Sequence, residues 1–314
     1  MTDRSEIKAV GGSNIAAITG QPGYESAYSL YLRLTGKLPP LEDTPEMRWG
    51  RELESRVAAM FADEHEEYEV VETGRWHHPE HDFLIASPDR ILIQDGEPKA
   101  VLEIKTSDIG MRHLFGEEMT DQIPIQYLCQ VIWYMGMLNL PLCHVAVYFR
   151  KHGRKAFADY AEYKVDACPS AFESMVLAAV KFWEEHIVAD VPPEITATDA
   201  HVTQYLRSRY PRHSDGKWLT ATDEVNELAV RLLAAKEDLD TAEKEFELCK
   251  LLMIDKLGDC EGVTTKAGKI TYKASNPSRK TDWKAIVDSF GIPQEIINRY
   301  TNEVPGSRRF LLPR

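Results

Sequence analysis

At 314 residues, 43% of them hydrophobic, the chain is long enough to bury a large core and to hold one catalytic domain plus a smaller unit. No uninterrupted apolar run reaches the ~20 residues that cross a bilayer, and Met1 to Glu6 lacks the basic-then-apolar order of a secretory signal, so a cytosolic protein is expected. Five cysteines (129, 143, 168, 249 and 260) are odd in number and include no Cys-x-x-Cys pair; this argues against disulfides, structural zinc and iron–sulfur clusters and for free buried thiols. The net charge of −13 argues against broad non-specific nucleic-acid binding, while leaving room for a local positive track.

In chain order, Gly11-Gly12-Ser13-Asn14 precedes the apolar stretch Ile15 to Ile18, so Ser13 reads as a helix N-cap. Backbone N–H groups and the helix dipole favour an anion there, although a plain capping serine fits the same residues. Arg48 to Phe61 reads as an amphipathic helix with Leu53, Val57, Met60 and Phe61 on one stripe. Glu54 lies at the edge of that stripe, where a carboxylate can lean toward a site. Glu64-His65-Glu66-Glu67 is expected to be solvated. Trp76-His77-His78-Pro79-Glu80-His81-Asp82 resembles a metal cluster in composition, but the proline interrupts it and no second ligand group recurs at fixed spacing, so a surface turn is expected.

The next two runs carry the chemistry. Ile85-Ala86-Ser87-Pro88-Asp89 places an acid at the end of an apolar stretch, and Ala100 to Ile104 reads as a short buried strand ending in Glu103-Ile104-Lys105. Side chains alternate along a strand, so Glu103 and Lys105 share a face and Ile104 points into the core. Gln94-Asp95-Gly96-Glu97-Pro98 has turn chemistry, which predicts a hairpin that sets Asp89 beside Glu103. Two carboxylates and an amine at one point suit a hard divalent cation and a positioned water, as phosphodiester hydrolysis requires. A lysine serves there better than an arginine, which cannot give up its proton. A Glu-x-Lys strand taken alone also fits an ordinary solvated face.

Ile125 to Leu140 reads as a helix with Leu128, Val131, Ile132 and Met135 apolar and with Tyr127 and Gln130 beside them. A glutamine near an apolar face needs a partner, and a site water would be one. Arg150 to Lys155 is a basic turn between strand-like runs Val145–Phe149 and Ala156–Val165; it fits phosphate contacts and a solvated hairpin tip equally. A helix from about Ser170 to Val188 ends before Pro192-Pro193. The basic, aromatic segment Gln204 to His213 then suits nucleic acid or another subunit. From about Thr222 to Leu257 a long helix carries Val225, Leu228, Leu232, Ala235, Leu239, Ala242, Phe246, Cys249 and Met253 at alternating spacings of three and four, a heptad seam that must pack along another helix. The tail, Gly262 to Arg314, alternates strand-like runs (Lys269 to Lys273) with a helix near Trp283 to Phe290. Its basic residues (Lys266, Lys269, Lys273, Arg279, Lys280, Arg308 and Arg309) suit DNA or a partner protein.

Gly-Gly-Ser (11–13), Trp-Gly-x-x-x-Glu (49–54), Ser-Pro-Asp (87–89), Leu-Glu-Ile-Lys (102–105) and Tyr-x-x-Gln (127–130), in this order, resemble the YqaJ-type viral recombinase family. That family includes lambda exonuclease and belongs to the PD-(D/E)xK nuclease superfamily. The likeness spans about residues 8 to 190. It implies an α/β (α+β) fold with a central mixed sheet flanked by helices, an exonuclease domain over residues 1–193 and a C-terminal extension over 194–314. It implies Mg²⁺ dependence, with two ions that Mn²⁺ can replace. The implied activity is 5′→3′ digestion of linear duplex DNA, releasing 5′-mononucleotides and leaving a 3′ strand for a single-strand annealing protein. A trimeric ring and a phage or prophage origin, in the cytoplasm of a bacterial host, are further implications. The resemblance assigns metal ligation to Asp89, Glu103 and the backbone carbonyl of Ile104, a second cation or its waters to Glu54, water activation to Lys105, and orientation of lysine or nucleophile to Gln130. It also assigns the terminal 5′-phosphate to Ser13, but the arginine expected close before that serine is absent, and Arg4 or Lys8 would take its place. An endonuclease or structure-specific nuclease of the same fold, and a non-catalytic DNA-binding or assembly factor, stand as alternatives.

Overall fold

Short β-branched and aliphatic runs separated by turns build a five-stranded sheet, and the computed structural model shows how its strands are ordered. Residues 8–38, 44–151, 157–196, 199–275, 280–282, 285 and 289–301 are described. The chain divides into two compact units, Met1–Arg209 and Tyr210–Arg314. In the first, β1 (Glu69–Glu72), β4 (Arg90–Gln94), β5 (Glu97–Asp108), β6 (Leu142–Lys151) and β7 (Phe157–Asp166) lie in the order β1-β4-β5-β6-β7. Neighbours are antiparallel except β5 and β6, which run parallel. A parallel pair needs a crossover, and α4 (Ile125–Leu138) supplies it. This is the mixed, helix-flanked α/β sheet that the family likeness implies.

The hairpin between β4 and β5 forms as expected but is tighter and longer. Gln94 pairs with Glu97 across a two-residue loop in which Asp95 (φ 56°) and Gly96 (φ 79°) both take positive φ, the requirement of a type I′ turn. The second strand begins at Glu97 and runs to Asp108, well beyond Ala100–Ile104.

Both faces of the sheet are covered, which explains why β4 to β6 read as nearly continuous apolar runs. One face packs on α1 (Gly12–Ile18), α2 (Ala27–Leu34), α4 and α5 (Pro169–Phe182), with Val101, Cys143, Val145, Val147 and Tyr163 in the core. The other packs on α3 (Pro45–Glu64) through Val57, Ala58 and Phe61 against Leu92, Ala100, Leu102, Ile104 and Ala146. The helix expected over 48–61 is therefore longer at both ends. Helix α4 stops at Leu138 rather than Leu140 because Asn139 turns left-handed (φ 53°). Helix α5 continues through a π-helical turn, Trp183–Val188, and α6 (Ala200–Arg209) takes up much of the basic, aromatic segment.

Three sequence expectations need correction. Glu64–Glu67 is not simply solvated: His65 caps α3 and hydrogen-bonds Glu162 on β7, because the chain must turn back beneath the sheet to start β1. The Trp76–Asp82 segment is more than a turn, since β2 (Trp76–His77) pairs with β3 (Ile85–Ala86). Of the five free cysteines only Cys129 and Cys143 are buried.

In the second unit, α7 (Asp223–Leu257) is capped by the Thr222 side chain, which accepts from the Val225 N–H. A small hairpin, β8 (Gly262–Thr265) with β9 (Gly268–Thr271), and α8 (Gln294–Arg299) follow. Most of the helix expected near Trp283–Phe290 lies outside the described residues, as do Arg4, Arg279, Arg308, Arg309 and the hairpin tip 152–156. Among the described residues no helix is long and apolar enough to cross a membrane.

Candidate active site

The centre forms where β4 stops short of β5. The antiparallel register ends at Arg90 opposite Leu102, so the backbone of Ile104 has no β4 residue to pair with. Asp89, bent out of the ladder after Ser87-Pro88, takes that place with its side chain: Ile104 N–H donates to Asp89 Oδ2 at 2.8 Å. A strand residue turns its N–H and C=O to the same side, so the Ile104 carbonyl also faces Asp89.

Two residues of opposite sign follow on the α4 face of β5. Glu103 is 2% exposed, and its Oε1 accepts from Lys105 Nζ at 2.6 Å and from Gln130 Nε2 at 2.9 Å. Its second oxygen, Oε2, is buried and has no hydrogen-bond partner. Lys105 Nζ also donates to Gln130 Oε1 at 2.9 Å and lies 4.9 Å from the centre of the Tyr127 ring. Gln130 is itself fixed by donating to the Tyr134 hydroxyl at 2.9 Å. One face of α4 thus aligns Tyr127, Gln130 and Tyr134, at i, i+3 and i+7, over the acid–lysine pair.

These contacts set the protonation states. Burial, then the neighbouring Glu103 carboxylate, pushes the half-buried Asp89 up to about 8. Lys105 is pushed down by burial, yet the charges of Glu103 and Asp89 outweigh this and raise it above the ordinary lysine value. The centre therefore sets a charged lysine beside an Asp89 carboxyl that burial and the Glu103 carboxylate hold in its protonated form. A buried carboxylate oxygen without a donor, beside a second carboxyl group and a backbone carbonyl, is an oxygen-rich set that suits Mg²⁺.

Glu54 reaches the edge of this centre but not its middle. Its Oε1 accepts from Arg90 Nη1 at 2.7 Å, and the same nitrogen donates to the Asp89 carbonyl at 2.6 Å. Among the described residues, Glu54, Asp89 and Glu103 do not bring carboxylate oxygens within 4.8 Å of one another as a set. Glu54 is tied instead to the buried Arg90 guanidinium, at the side of Asp89. Arg90 and Tyr134 were not singled out from the sequence. Arg90 left a signal there, as a charge opening the apolar run Ile91-Leu92-Ile93 that needs a buried partner.

Ser13 is not the N-cap. Gly11 holds that position and Asn14 reaches back to accept from the Gly11 N–H at 3.0 Å, so Ser13 is an exposed residue of the first turn. Helix α1 nonetheless runs close over the centre: a Cβ on Gly12 would lie 2.7 Å from the Tyr134 ring and 3.2 Å from Gln130 Cγ. Lys8 is exposed, and its charge acts on Asp190, whose carboxyl is held down chiefly by hydrogen bonds from Lys37 and Tyr31.

Every side chain of this centre falls within residues 3–139, which match the family described as the YqaJ-like viral recombinase domain. The uncharacterized protein YqaJ of Bacillus subtilis (strain 168) is 28% identical over 244 residues, 76% of this chain and 73% of that protein. Similar solved structures include the alkaline exonuclease LHK-Exo from Laribacter hongkongensis (16% identity, TM-score 0.44, covering 65% of this chain and 94% of that one). A phage-related exonuclease from Haemophilus somnus 129PT is another, with 15% identity, a TM-score of 0.42 and coverage of 58% of this chain and 96% of that one.

Proposed function

We propose that this chain is a nuclease, and specifically a Mg²⁺-dependent exonuclease that digests linear duplex DNA 5′→3′, releases 5′-mononucleotides and leaves a 3′ strand for a single-strand annealing protein. The observation that supports it most is the buried Glu103 carboxylate, one oxygen bonded to Lys105 and Gln130 and the other left without a donor beside Asp89. In this reading Asp89, Glu103 and the Ile104 carbonyl hold one Mg²⁺ or Mn²⁺, and Glu54 holds a second ion or its waters. A bound ion of this kind supplies a polarised phosphate oxygen and an acidified water. Lys105 positions the attacking water and takes its proton, since Glu103 and Asp89 maintain its raised pKa and their engagement elsewhere would let that pKa fall. Gln130, clamped by Tyr134, fixes both Glu103 and Lys105, so it acts by orientation. Ser13, exposed on the helix that crosses the centre, takes the terminal 5′-phosphate with Lys8 or Arg4.

Residues 1–193 hold this activity and residues 194–314 form the extension. The chain works in phage-type recombination in a bacterial cytoplasm, as a trimeric ring around its substrate. The test uses plasmid DNA, linear and circular, with Mg²⁺. Degradation of linear duplex only, faster from a 5′-phosphate than from a 5′-hydroxyl or a hairpin-blocked end, supports the reading. Cleavage of the circle makes the chain an endonuclease. Wild-type degradation by both Glu103→Ala and Lys105→Ala removes the site assignment altogether.

A further inference from the structure

On the sheet face opposite Asp89 and Glu103, three ligand-type side chains meet that the centre above does not use. His144 on β6 and Glu162 on β7 are diagonal neighbours on the α3 side, because His144 pairs with Lys164 and Ala146 with Glu162. His65, at the C-cap of α3, comes down onto both. One ligand atom from each of the three lies within 4.8 Å of the other two, the one such group of three or more His, Cys, Asp or Glu among the described residues. His65 Nε2 stands 2.8 Å from Glu162 Oε2.

The second observation is His144 itself. It is 4% exposed, and neither ring nitrogen has a hydrogen-bond partner. Its ring is walled by Phe61, His65 and Tyr68, at centroid separations of 5.4, 5.5 and 5.8 Å. Buried polar atoms are nearly always paired, so an imidazole with both nitrogens unserved, beside a histidine and a carboxylate, lacks a partner of some kind. A lone histidine inside Leu142–Phe149 would have been better replaced by an apolar residue if packing were its only task.

The other two groups are already oriented from outside. Glu67 Oε1 lies 3.0 Å from His65 Nδ1, which leaves Nε2 turned toward Glu162 Oε2. The Tyr160 hydroxyl donates to Glu162 Oε1 at 2.5 Å, leaving Oε2 for the cluster. Carboxylate-backed histidine and hydroxyl-backed carboxylate are the supports that metal ligands commonly have. Two imidazoles with one carboxylate suit zinc, cobalt or nickel, whereas the all-oxygen set at Asp89 suits magnesium.

We propose that His65, His144 and Glu162 bind one zinc-class divalent ion, with a water in the fourth position. The ion ties the C-terminal end of α3 to β6 and β7. It anchors the helix that carries Glu54, and its work is structural. Three ligands with bonds of about 2.0–2.2 Å require ligand separations of roughly 3.3 Å, so His65 and Glu162 part slightly and His144 turns inward. The cysteine spacing, which argues against a thiolate zinc site, does not bear on this ligand set.

Full-length protein carrying Asp89→Asn and Glu103→Gln, which silences the first centre, is stripped with chelator and titrated with Co²⁺. One ion per chain with the strong visible absorption of tetrahedral Co²⁺, displaced by Zn²⁺, is the expected result. His144→Phe, which keeps a ring without ligand atoms, and His65→Gln, at the less buried ligand, each lose it. Zn²⁺ also raises the melting temperature of the parent and not of either variant. Failure of the parent to retain stoichiometric Co²⁺ or Zn²⁺, or equal retention by a folded His144→Phe or His65→Gln protein, overturns the proposal. Because the first centre is disabled throughout, these outcomes are independent of the nuclease reading.

Discussion

Asp89 is a residue whose chemistry the fold alters strongly. In the unfolded chain its carboxyl ionises near 3.8, and in the folded, cation-free protein it keeps its proton to about 8. The folded state therefore binds the extra proton between those values, and stability conferred at low pH is lost as pH rises through the window, levelling off above about 8. Asp89→Asn should flatten that fall, which thermal unfolding in chelator across pH 4 to 9 will measure. A divalent ion needs the deprotonated acid, so apparent Mg²⁺ affinity should rise about tenfold per pH unit up to about 8 and then plateau. Equal Mg²⁺ affinity at pH 6 and pH 8 would exclude Asp89 as a ligand. Lys105→Arg is the companion test: it preserves the charge opposite Glu103 but cannot give up a proton. If Lys105 takes the water's proton, turnover falls by roughly 10²–10⁴-fold; a near-normal rate would leave it an electrostatic role only. Asp89, Glu103, Lys105 and Gln130 were legible in the sequence because strand and helix periods place them. Arg90 and Tyr134 were not, because nothing in their spacing reveals which groups become buried beside them. Glu54 was half legible: its helix edge was right, but its capture by Arg90 is a tertiary event.

At the scale of elements, the hairpin was the most readable feature, since Asp95-Gly96 supplies the two positive φ angles that a two-residue turn demands. The strand order β1-β4-β5-β6-β7 was not readable, because a parallel β5–β6 pair depends on where α4 lands rather than on either strand's sequence. Helix α1 shows why the N-cap was misplaced. Starting two residues earlier lets Asn14 close back on Gly11, and it lets Gly12 face Tyr134 without a side chain between them. That close approach makes a prediction. In Gly12→Ala the new methyl would sit 2.7 Å from Tyr134 Cε1, so the phenol or the helix must move. Overpacking of this kind costs about 1–3 kcal/mol, and here it also disturbs the clamp on Gln130. The expected outcome is a lower denaturation midpoint together with slower DNA degradation, whereas Ser13→Ala, on the exposed side of the same helix, should leave the midpoint unchanged. An unaltered rate in Gly12→Ala would mean that Tyr134 does not position Gln130.

For the whole molecule, the question is what the exposed seam of α7 does. Its residues alternate three and four apart over the full helix, and several are wide open: Leu228 is 60% exposed, Leu239 50% and Phe246 66%. A two-helix supercoil is the arrangement such spacing fits, and a contiguous exposed apolar stripe marks an association surface. Association through α7 is thus expected on physical grounds, separately from the ring that the family likeness implies. The two routes can be told apart. Replacing Leu232 and Leu239 together with glutamate puts like charges into the seam while leaving every residue of the Asp89 centre unchanged. If α7 alone joins subunits, light scattering will report the wild type as a multiple of 35.7 kDa and the double variant as a single chain. If the first unit closes a ring by itself, the variant keeps its mass, and long duplexes are still degraded without release between nucleotides. Loss of mass with retained cleavage of short duplexes, but release from long ones, would locate processivity in the extension rather than in the first unit.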